Sequence, residues 1–134
     1  VDVRIEKTNH SLFSARVVPE LSVKSGGTLI NAEGKRGEKE TWGVESPWID
    51  YYGTRDDITE GIAILQHPEN RWYPSKWFTR DYGFFSPTPM YWPPNDSHIE
   101  LPKGEPLTLR YRVVVHADDV EAAGIAGLFE AYQK

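Results

Sequence analysis

The sequence predicts an all-β fold with one short C-terminal helix, arranged as an antiparallel β-sandwich of seven or more strands. Apolar and polar residues alternate over 1–6 and again over 107–116, as they do in strands with one buried face. Turn signals separate the strand candidates, among them Gly26-Gly27 and residues 103–106. No internal repeat or linker divides the chain, so we expect residues 1–134 to form one domain.

The first half of the chain contains four strand candidates and one polar connection. Residues 1–6 form the first candidate, and residues 12–18 form the second, which is followed by a proline. Residues 28–30 follow the glycine turn, and the aromatic-rich residues 48–53 form a longer candidate. Between these two, residues 31–40 are polar and carry two glycines, which favours a solvated loop or hairpin tip.

The second half contains the strongest strand signal and the only helix signal. Residues 61–66 are a short apolar run, which predicts a central strand covered on both faces. Asp118 or Asp119 can cap a helix that runs to Tyr132. In the longest strand candidate, residues 107–116, five apolar side chains share one face. They are Leu107, Leu109, Tyr111, Val113 and Val115.

Composition and charge exclude several classes of protein. The 134 residues carry a net charge of −5 with scattered Lys and Arg, so the chain lacks the basic surface that nucleic acid requires. No apolar run approaches the roughly 20 residues of a membrane span, and we expect no membrane insertion. The absence of cysteine excludes disulfides and thiolate metal sites. The sequence begins at Val1 and shows no signal peptide; we expect a piece of a longer protein, periplasmic or secreted rather than cytoplasmic.

Residues 65–92 form the most unusual stretch of the chain, here called the aromatic–proline segment. It holds nine of the 17 aromatic residues, and six of the ten prolines lie between Pro68 and Pro94. Proline removes a backbone donor and fixes φ, so we expect an irregular surface segment with a strand only at 82–85. A segment so rich in rings covers either the protein's own core or a ligand.

Six side chains of this segment are candidates for binding a ligand. Trp72 and Trp77 are expected to be partly exposed, because their neighbours in the sequence are polar. An exposed ring stacks on the apolar face of a sugar, while nearby polar side chains bind its hydroxyl groups. The predicted set is His67, Asn70, Trp72, Trp77, Arg80 and Tyr82. The alternative is structural: the tryptophans seal the core, Arg80 forms an ion pair, and His67 caps a turn.

Catalysis would require an acid and a base with separated pKa values. His67 and Asp81 are the candidates for this role, with Asp50 as an alternative carboxylate. Glu69 and His116 are weaker candidates. The chain has no nucleophile motif and no phosphate-binding glycine loop. The four histidines are not spaced as local pairs, so no metal and no cofactor is expected, and whether the protein is an enzyme stays open.

Several motifs in a fixed order resemble the C-terminal half of a bacterial family called PmoA-like. They are GGTLINAEG, WGVESPWIDYYG, GIAILQHPEN, DYGFFSPTP and KGEPLTLRYRVVVHADD. The resemblance implies a galactose-mutarotase-like β-sandwich, sugar chemistry, and a missing N-terminal half. The family's label, methane oxygenase, is no guide, because a membrane copper oxygenase needs spans and clustered metal ligands. The matching positions are His67, Pro68, Asn70, Trp77, Arg80, Tyr82, Gly83 and His116.

These observations lead to three functional hypotheses. The first is a domain of bacterial sugar metabolism that binds a carbohydrate or glycoside through the aromatic–proline segment. The second is half of a sugar-active enzyme, mutarotase-like or glycoside-processing, in which His67 and a carboxylate transfer a proton. The third is a structural or oligomerisation domain, with its aromatics buried in the core or between the copies of a homo-oligomer.

Overall fold

The computed structural model describes residues 1–9, 12–91 and 98–134, so His10 and Trp92 lie outside the described part of the chain. This part contains nine strands and two α-helices. The strands are β1 (Val3–Glu6), β2 (Ala15–Arg16), β3 (Thr28–Asn31), β4 (Trp48–Arg55), β5 (Ile58–Gln66), β6 (Trp77–Thr79), β7 (Phe84–Pro87), β8 (His98–Leu101) and β9 (Tyr111–Ala117). The α-helices are α1 (Gly37–Thr41) and α2 (Ile125–Tyr132), with 3₁₀ helices at Pro19–Leu21, Val23–Ser25 and Pro89–Tyr91.

The strands pair antiparallel in three sheets, ordered β3-β4-β5-β9, β2-β7-β6 and β1-β8. The prediction of an antiparallel β-sandwich with a short C-terminal helix is therefore confirmed. β5 lies between β4 and β9, as the apolar run 61–66 predicts. A two-residue turn joins β4 to β5, and both of its residues, Asp56 and Asp57, have positive φ, as the tightest hairpin turns require.

The main core lies between the four-stranded and the three-stranded sheet. Ile49 and Tyr51 of β4 point to this side, because alternate residues of a strand face opposite sides. Opposite them lie Trp77 of β6 and Phe85 of β7, both fully buried. Full burial of one such side chain contributes about 1.5–3 kcal/mol, so this contact is the main source of stability.

A second core lies on the other face of the four-stranded sheet, beneath α2. Trp48, Ala63 and Leu65 pack there against Ile125 and Phe129 of the helix. The central strands are thus covered on both faces, which explains why β5 is almost continuously apolar. No helix in the described residues is long and apolar enough to cross a membrane.

The structure corrects the bounds of the predicted C-terminal elements. β9 begins only at Tyr111, and Val113 and Val115 are 47% and 77% exposed, so the apolar face of this strand is not buried along its length. The helix begins at Ile125 and not at an aspartate cap. Asp119 instead closes the preceding turn, where its Oδ1 accepts the backbone N–H groups of residues 121 and 122.

Two predictions for the first half also need correction. Residues 31–40 are not all loop, because α1 begins at Gly37 within them. Its first turn is held by Asp81, whose Oδ1 accepts the Glu38 N–H at 2.8 Å. The strand predicted over 12–18 is reduced to Ala15–Arg16, since only these residues pair with β7.

Candidate functional site

The prediction that Trp77 is partly exposed is wrong. Its side chain is fully buried at the start of β6, where it stacks on Phe85 with ring centroids 6.4 Å apart. Its indole Nε1–H donates to the Ser46 carbonyl oxygen at 2.8 Å. Polar neighbours in the sequence misled the prediction, because neighbouring residues in a strand face opposite sides and say little about burial. Trp77 therefore belongs to the core, as the structural alternative expects.

His67 and Asn70 lie at the two ends of one turn, which the Asn70 N–H closes by donating to the His67 carbonyl oxygen at 3.0 Å. The Glu69 N–H donates to His67 Nδ1 at 3.1 Å, and the His67 ring meets the edge of Tyr132. The Asn70 amide imitates a strand partner: its Nδ2 donates to the Arg110 carbonyl oxygen at 2.8 Å, and its Oδ1 accepts the Arg110 N–H at 2.7 Å. One N–H and one oxygen lone pair of this amide are used in these bonds, which fix the chain before β9.

The acid–base pair proposed from the sequence is not assembled. Asp81 binds the first turn of α1, where its own N–H also donates to Glu38 Oε2 at 3.0 Å. The carboxylate in contact with His67 is that of Glu69, with Nδ1 and Oε2 3.6 Å apart. Neither a hydrogen bond nor an ion pair joins His67 to Asp81 in the described structure. Proton transfer between these two residues therefore has no geometric support.

Arg80 and Tyr82 also have structural partners. Arg80 Nη1 lies 3.1 Å from Glu38 Oε1, and its guanidinium lies 4.5 Å from the ring centre of Phe78. Tyr82 is 38% exposed, with the Arg16 guanidinium 4.9 Å above its ring. The arginine thus forms an ion pair with α1 and not across two strands, and the tyrosine is exposed and not part of the core.

Three of the predicted ligand residues line cavities: Asn70 lines a small one beside Arg110, Arg80 lines one beside Glu38, and Trp72 lines a third. The cavity at Trp72 has a volume of about 470 Å³ and lies between the loop at 72–76, the 3₁₀ helix Pro89–Tyr91 and β8. Trp72 and Tyr73 supply half-buried rings to its wall. Its other lining residues include Glu45, Lys76, Met90 and His98. We call this space the Trp72 cavity.

Buried hydrogen bonds hold the loop of the Trp72 cavity against β5. The Oγ–H and N–H of Ser75 both donate to Gln66 Oε1, at 2.6 and 3.2 Å. Gln66 Nε2 in turn donates to the Ser46 carbonyl oxygen at 2.8 Å. On the other side, the Thr88 N–H donates to the Lys76 carbonyl oxygen at 2.9 Å. The wall is therefore fixed by a satisfied buried network, which is the kind of support that a preformed binding site needs.

Charged side chains of both signs lie in the wall of the Trp72 cavity. Glu45 and Lys76 form a short antiparallel bridge through their backbones. His98 Nε2 lies 3.1 Å from Glu100 Oε1, in an ion pair that is open to solvent. Glu45, Lys76 and His98 were not among the predicted site residues. They come from three separate segments of the sequence, and no motif connects them.

A buried contact joins Asp50 of β4 to His116 of β9. This pair was not predicted from the sequence. His116 Nε2 lies 2.7 Å from Asp50 Oδ1, and the two side chains are 6% and 0% exposed. They meet across β5, where the register places Ala63 beside Asp50 and Gly61 beside His116. These two small residues leave room for the contact, and a Cβ at Gly61 would lie only 2.5 Å from Tyr52 Cβ.

Both members of this buried pair have raised pKa values. Burial raises the pKa of Asp50, against the hydrogen bond from His116, which lowers it. Burial alone lowers the pKa of His116, but its hydrogen bonds to Asp50 and to the Ala117 carbonyl outweigh this effect. Because both ring nitrogens face acceptors, the ring carries two protons and forms an imidazolium–carboxylate pair. The pair links β9 to β4 across β5.

The described residues contain no group of three or more His, Asp or Glu side chains placed to hold a metal ion. A family model, described as a family of unknown function (DUF6807), matches residues 1–130. No curated protein and no solved structure matches the chain. The match gives no link to the PmoA-like family or to mutarotases, so that resemblance stays a hypothesis. Since the match covers nearly the whole chain, the protein belongs to the DUF6807 family.

Proposed function

We propose that the protein binds a carbohydrate or glycoside in the Trp72 cavity. The observation that carries this proposal is the composition of the wall: two adjacent aromatic rings next to a carboxylate, an ammonium group and an imidazole. The volume of about 470 Å³ lies within the range of small-molecule sites. The proposal keeps the predicted ligand class but confines it to one cavity, which Trp72 alone of the six predicted residues lines.

The chemistry of a sugar fits this combination of groups. A pyranose ring has an apolar C–H face and a rim of hydroxyl groups, so it needs a flat ring and hydrogen-bonding partners together. Trp72 and Tyr73 offer the rings, Glu45 offers acceptors, and Lys76 offers donors. The resemblance to the PmoA-like family supports the same ligand class, since that resemblance implies sugar chemistry.

The rigid support of the cavity favours binding over a purely structural role. The hydrogen bonds between Ser75 and Gln66 hold the loop that carries Trp72 in place, even though the cavity that this loop lines is open to solvent. A preformed wall lowers the conformational entropy that the protein loses on binding, which matters for weakly bound sugars. The enzyme alternative stays a hypothesis. His98, the imidazole in the cavity wall, already contacts the Glu100 carboxylate.

Replacement of Trp72 by alanine should weaken sugar binding at least tenfold, since the stacking ring and its buried area are lost together, which amounts to about 1.4 kcal/mol or more. Calorimetric titration of the protein with hexoses, uronic acids and disaccharides measures this effect. Tyr82→Ala is the matched control, because Tyr82 is an accessible ring of the same segment that does not line the cavity. The proposed site would be contradicted if Tyr82→Ala abolished binding and Trp72→Ala preserved it. It would also be contradicted if no sugar bound at about 10 mM, near the weak limit of specific affinity.

A further inference from the structure

The outer edge of β9 is an unprotected strand edge. β9 is the last strand of its sheet and pairs on one side with β5, while no described strand lies on its other side. Edge strands of stable monomers usually carry proline, bulges or inward-pointing charges that prevent pairing with another chain. Residues 111–117 contain neither proline nor glycine, and their register with β5 runs without a bulge. An edge of this kind is ready to accept a further strand.

The face of β9 that lies next to this edge is apolar and exposed. Val113 and Val115 are 47% and 77% exposed, although both are valines in the middle of a strand. Beside Val115 lies a groove of about 220 Å³, which is also lined by Val18, Leu21 and Ile62. Val18 is itself 43% exposed. This groove lies on the β5 side of Val115, since Ile62 is paired with Val115. A strand on the outer edge of β9 would remove exposed apolar surface of Val113 and Val115 from water.

We propose that β9 pairs antiparallel with β9 of a second copy of this chain, with the two-fold axis at Val114. In this register residue i lies opposite residue 228 − i, as strand pairing across a two-fold axis demands. Val113 then faces Val115 of the second copy, and the same contact occurs again on the other side of the axis. The two four-stranded sheets join into one sheet of eight strands.

The charges at the two ends of β9 favour a second copy over an unrelated strand. Arg110 precedes the strand and Asp118 follows it, and both are exposed. In the proposed pair the basic residue before β9 comes near the acidic residue after β9 of the second copy, twice in the dimer, so each basic end meets an acidic end. Arg110 binds Glu69 in an exposed ion pair within its own copy, which leaves its remaining guanidinium donors available. A parallel arrangement would place like charges together, so the pattern specifies the antiparallel pair.

The positive groups on the helix-facing side of β9 each have a partner within their own copy. Arg112 and His116 lie opposite each other in the proposed register. In each copy the Arg112 guanidinium lies 4.4 Å from the ring centre of Tyr132, and His116 is paired with Asp50. Both positive groups are thus partnered within their own copy before a second one arrives.

Sedimentation velocity of the purified protein across a concentration series tests the pairing. We expect a reversible dimer for the native sequence, and Val115→Lys should raise its dissociation constant at least about tenfold, because it places two lysines in an apolar contact. Ile58→Lys is the matched control, since Ile58 is 61% exposed in β5 but lies beyond the residues that pair with β9. A native protein that stays monomeric at about 100 μM, a concentration well above typical dimer affinities, overturns the proposal. So does a dimer that Val115→Lys leaves intact.

A cysteine at the two-fold axis tests the register. The chain has no native cysteine, so Val114→Cys can form a disulfide only with a second copy. Residues directly opposite in an antiparallel pair have Cα atoms about 4.5–5.5 Å apart, within the range that a disulfide spans. We expect mild oxidation to cross-link Val114→Cys but not Ile58→Cys. Cross-linking of both variants alike, or of neither, would rule out pairing centred on Val114.

Discussion

Replacement of His116 by leucine is expected to lower the free energy of unfolding by about 3–5 kcal/mol, the typical cost of removing one partner of a buried ion pair. The leucine leaves the Asp50 carboxylate fully buried without its cation, while Asp50 Oδ2 already lacks a described partner. A domain of this size has a total stability of about 5–15 kcal/mol, so the loss is a large part of the whole. Urea denaturation followed by tryptophan fluorescence measures it.

The double variant Asp50→Leu/His116→Leu separates the cost of the unpaired charge from the loss of the contact. Because it removes both buried charges and fills their volume with apolar groups, it should be more stable than His116→Leu alone. A double variant as unstable as the single one would mean that packing across β5, and not the unpaired carboxylate, sets the cost.

The same pair should make stability depend on pH in a defined direction. The pKa of His116 is raised above its ordinary value in the folded protein, so its contribution is complete below the unfolded pKa of about 6.5 and is lost as pH rises through the folded pKa. The raised pKa of Asp50 has the same sign, since it favours the protonated acid at low pH. Tyr51 and Tyr111, whose pKa values burial raises to about 12, do not titrate in this window.

The free energy of unfolding of the native protein is therefore expected to fall as the pH rises from about 6.5 through the raised pKa of His116, and His116→Leu should lack this fall. His67→Leu is a suitable control, because His67 contacts Glu69 and Tyr132 and has no described contact with the Asp50–His116 pair. An identical pH profile for the native protein and His116→Leu would show that the pair does not titrate as the geometry indicates.

The strands were predictable where the pattern of side chains reflects burial. Residues 61–65 contain no polar side chain, and the strand they form is indeed covered by the main core on one face and α2 on the other. The contact between Asp50 and His116 was not predictable, because it depends on register across three strands and on the small size of Gly61 and Ala63. A single sequence contains no local signal for a partner 66 positions away.

The candidate site was predictable only in part. The concentration of aromatic residues correctly indicated that the segment packs against something, but it did not separate rings of the core from rings of the surface. Trp72 and Trp77 both have polar neighbours, yet one lines a cavity and the other is fully buried. Pairing of β6 with β7 decides this difference, and such pairing is a property of the fold and not of the segment.

Replacement of Trp77 by alanine is expected to cost about 3–5 kcal/mol of stability, the usual range for deleting a large buried ring. The loss combines the cavity beside Phe85 with the loss of one of the two donors to the Ser46 carbonyl oxygen. Trp72→Ala, at a half-buried position on the cavity wall, should cost only about 1 kcal/mol, in line with an average substitution. Urea denaturation of both variants side by side gives the comparison.

Trp77→Phe refines this test, because it keeps a ring in the core and removes only the indole N–H and part of the volume. We expect it to lie between the native protein and Trp77→Ala, since a single hydrogen bond contributes about 0.5–1.5 kcal/mol. Sugar affinity should depend on Trp72 and not on Trp77. The folded Trp77→Phe variant should bind sugar normally, whereas Trp72→Ala should not. A stable Trp77→Ala variant that has lost sugar binding would return Trp77 to the ligand surface and refute its place in the core.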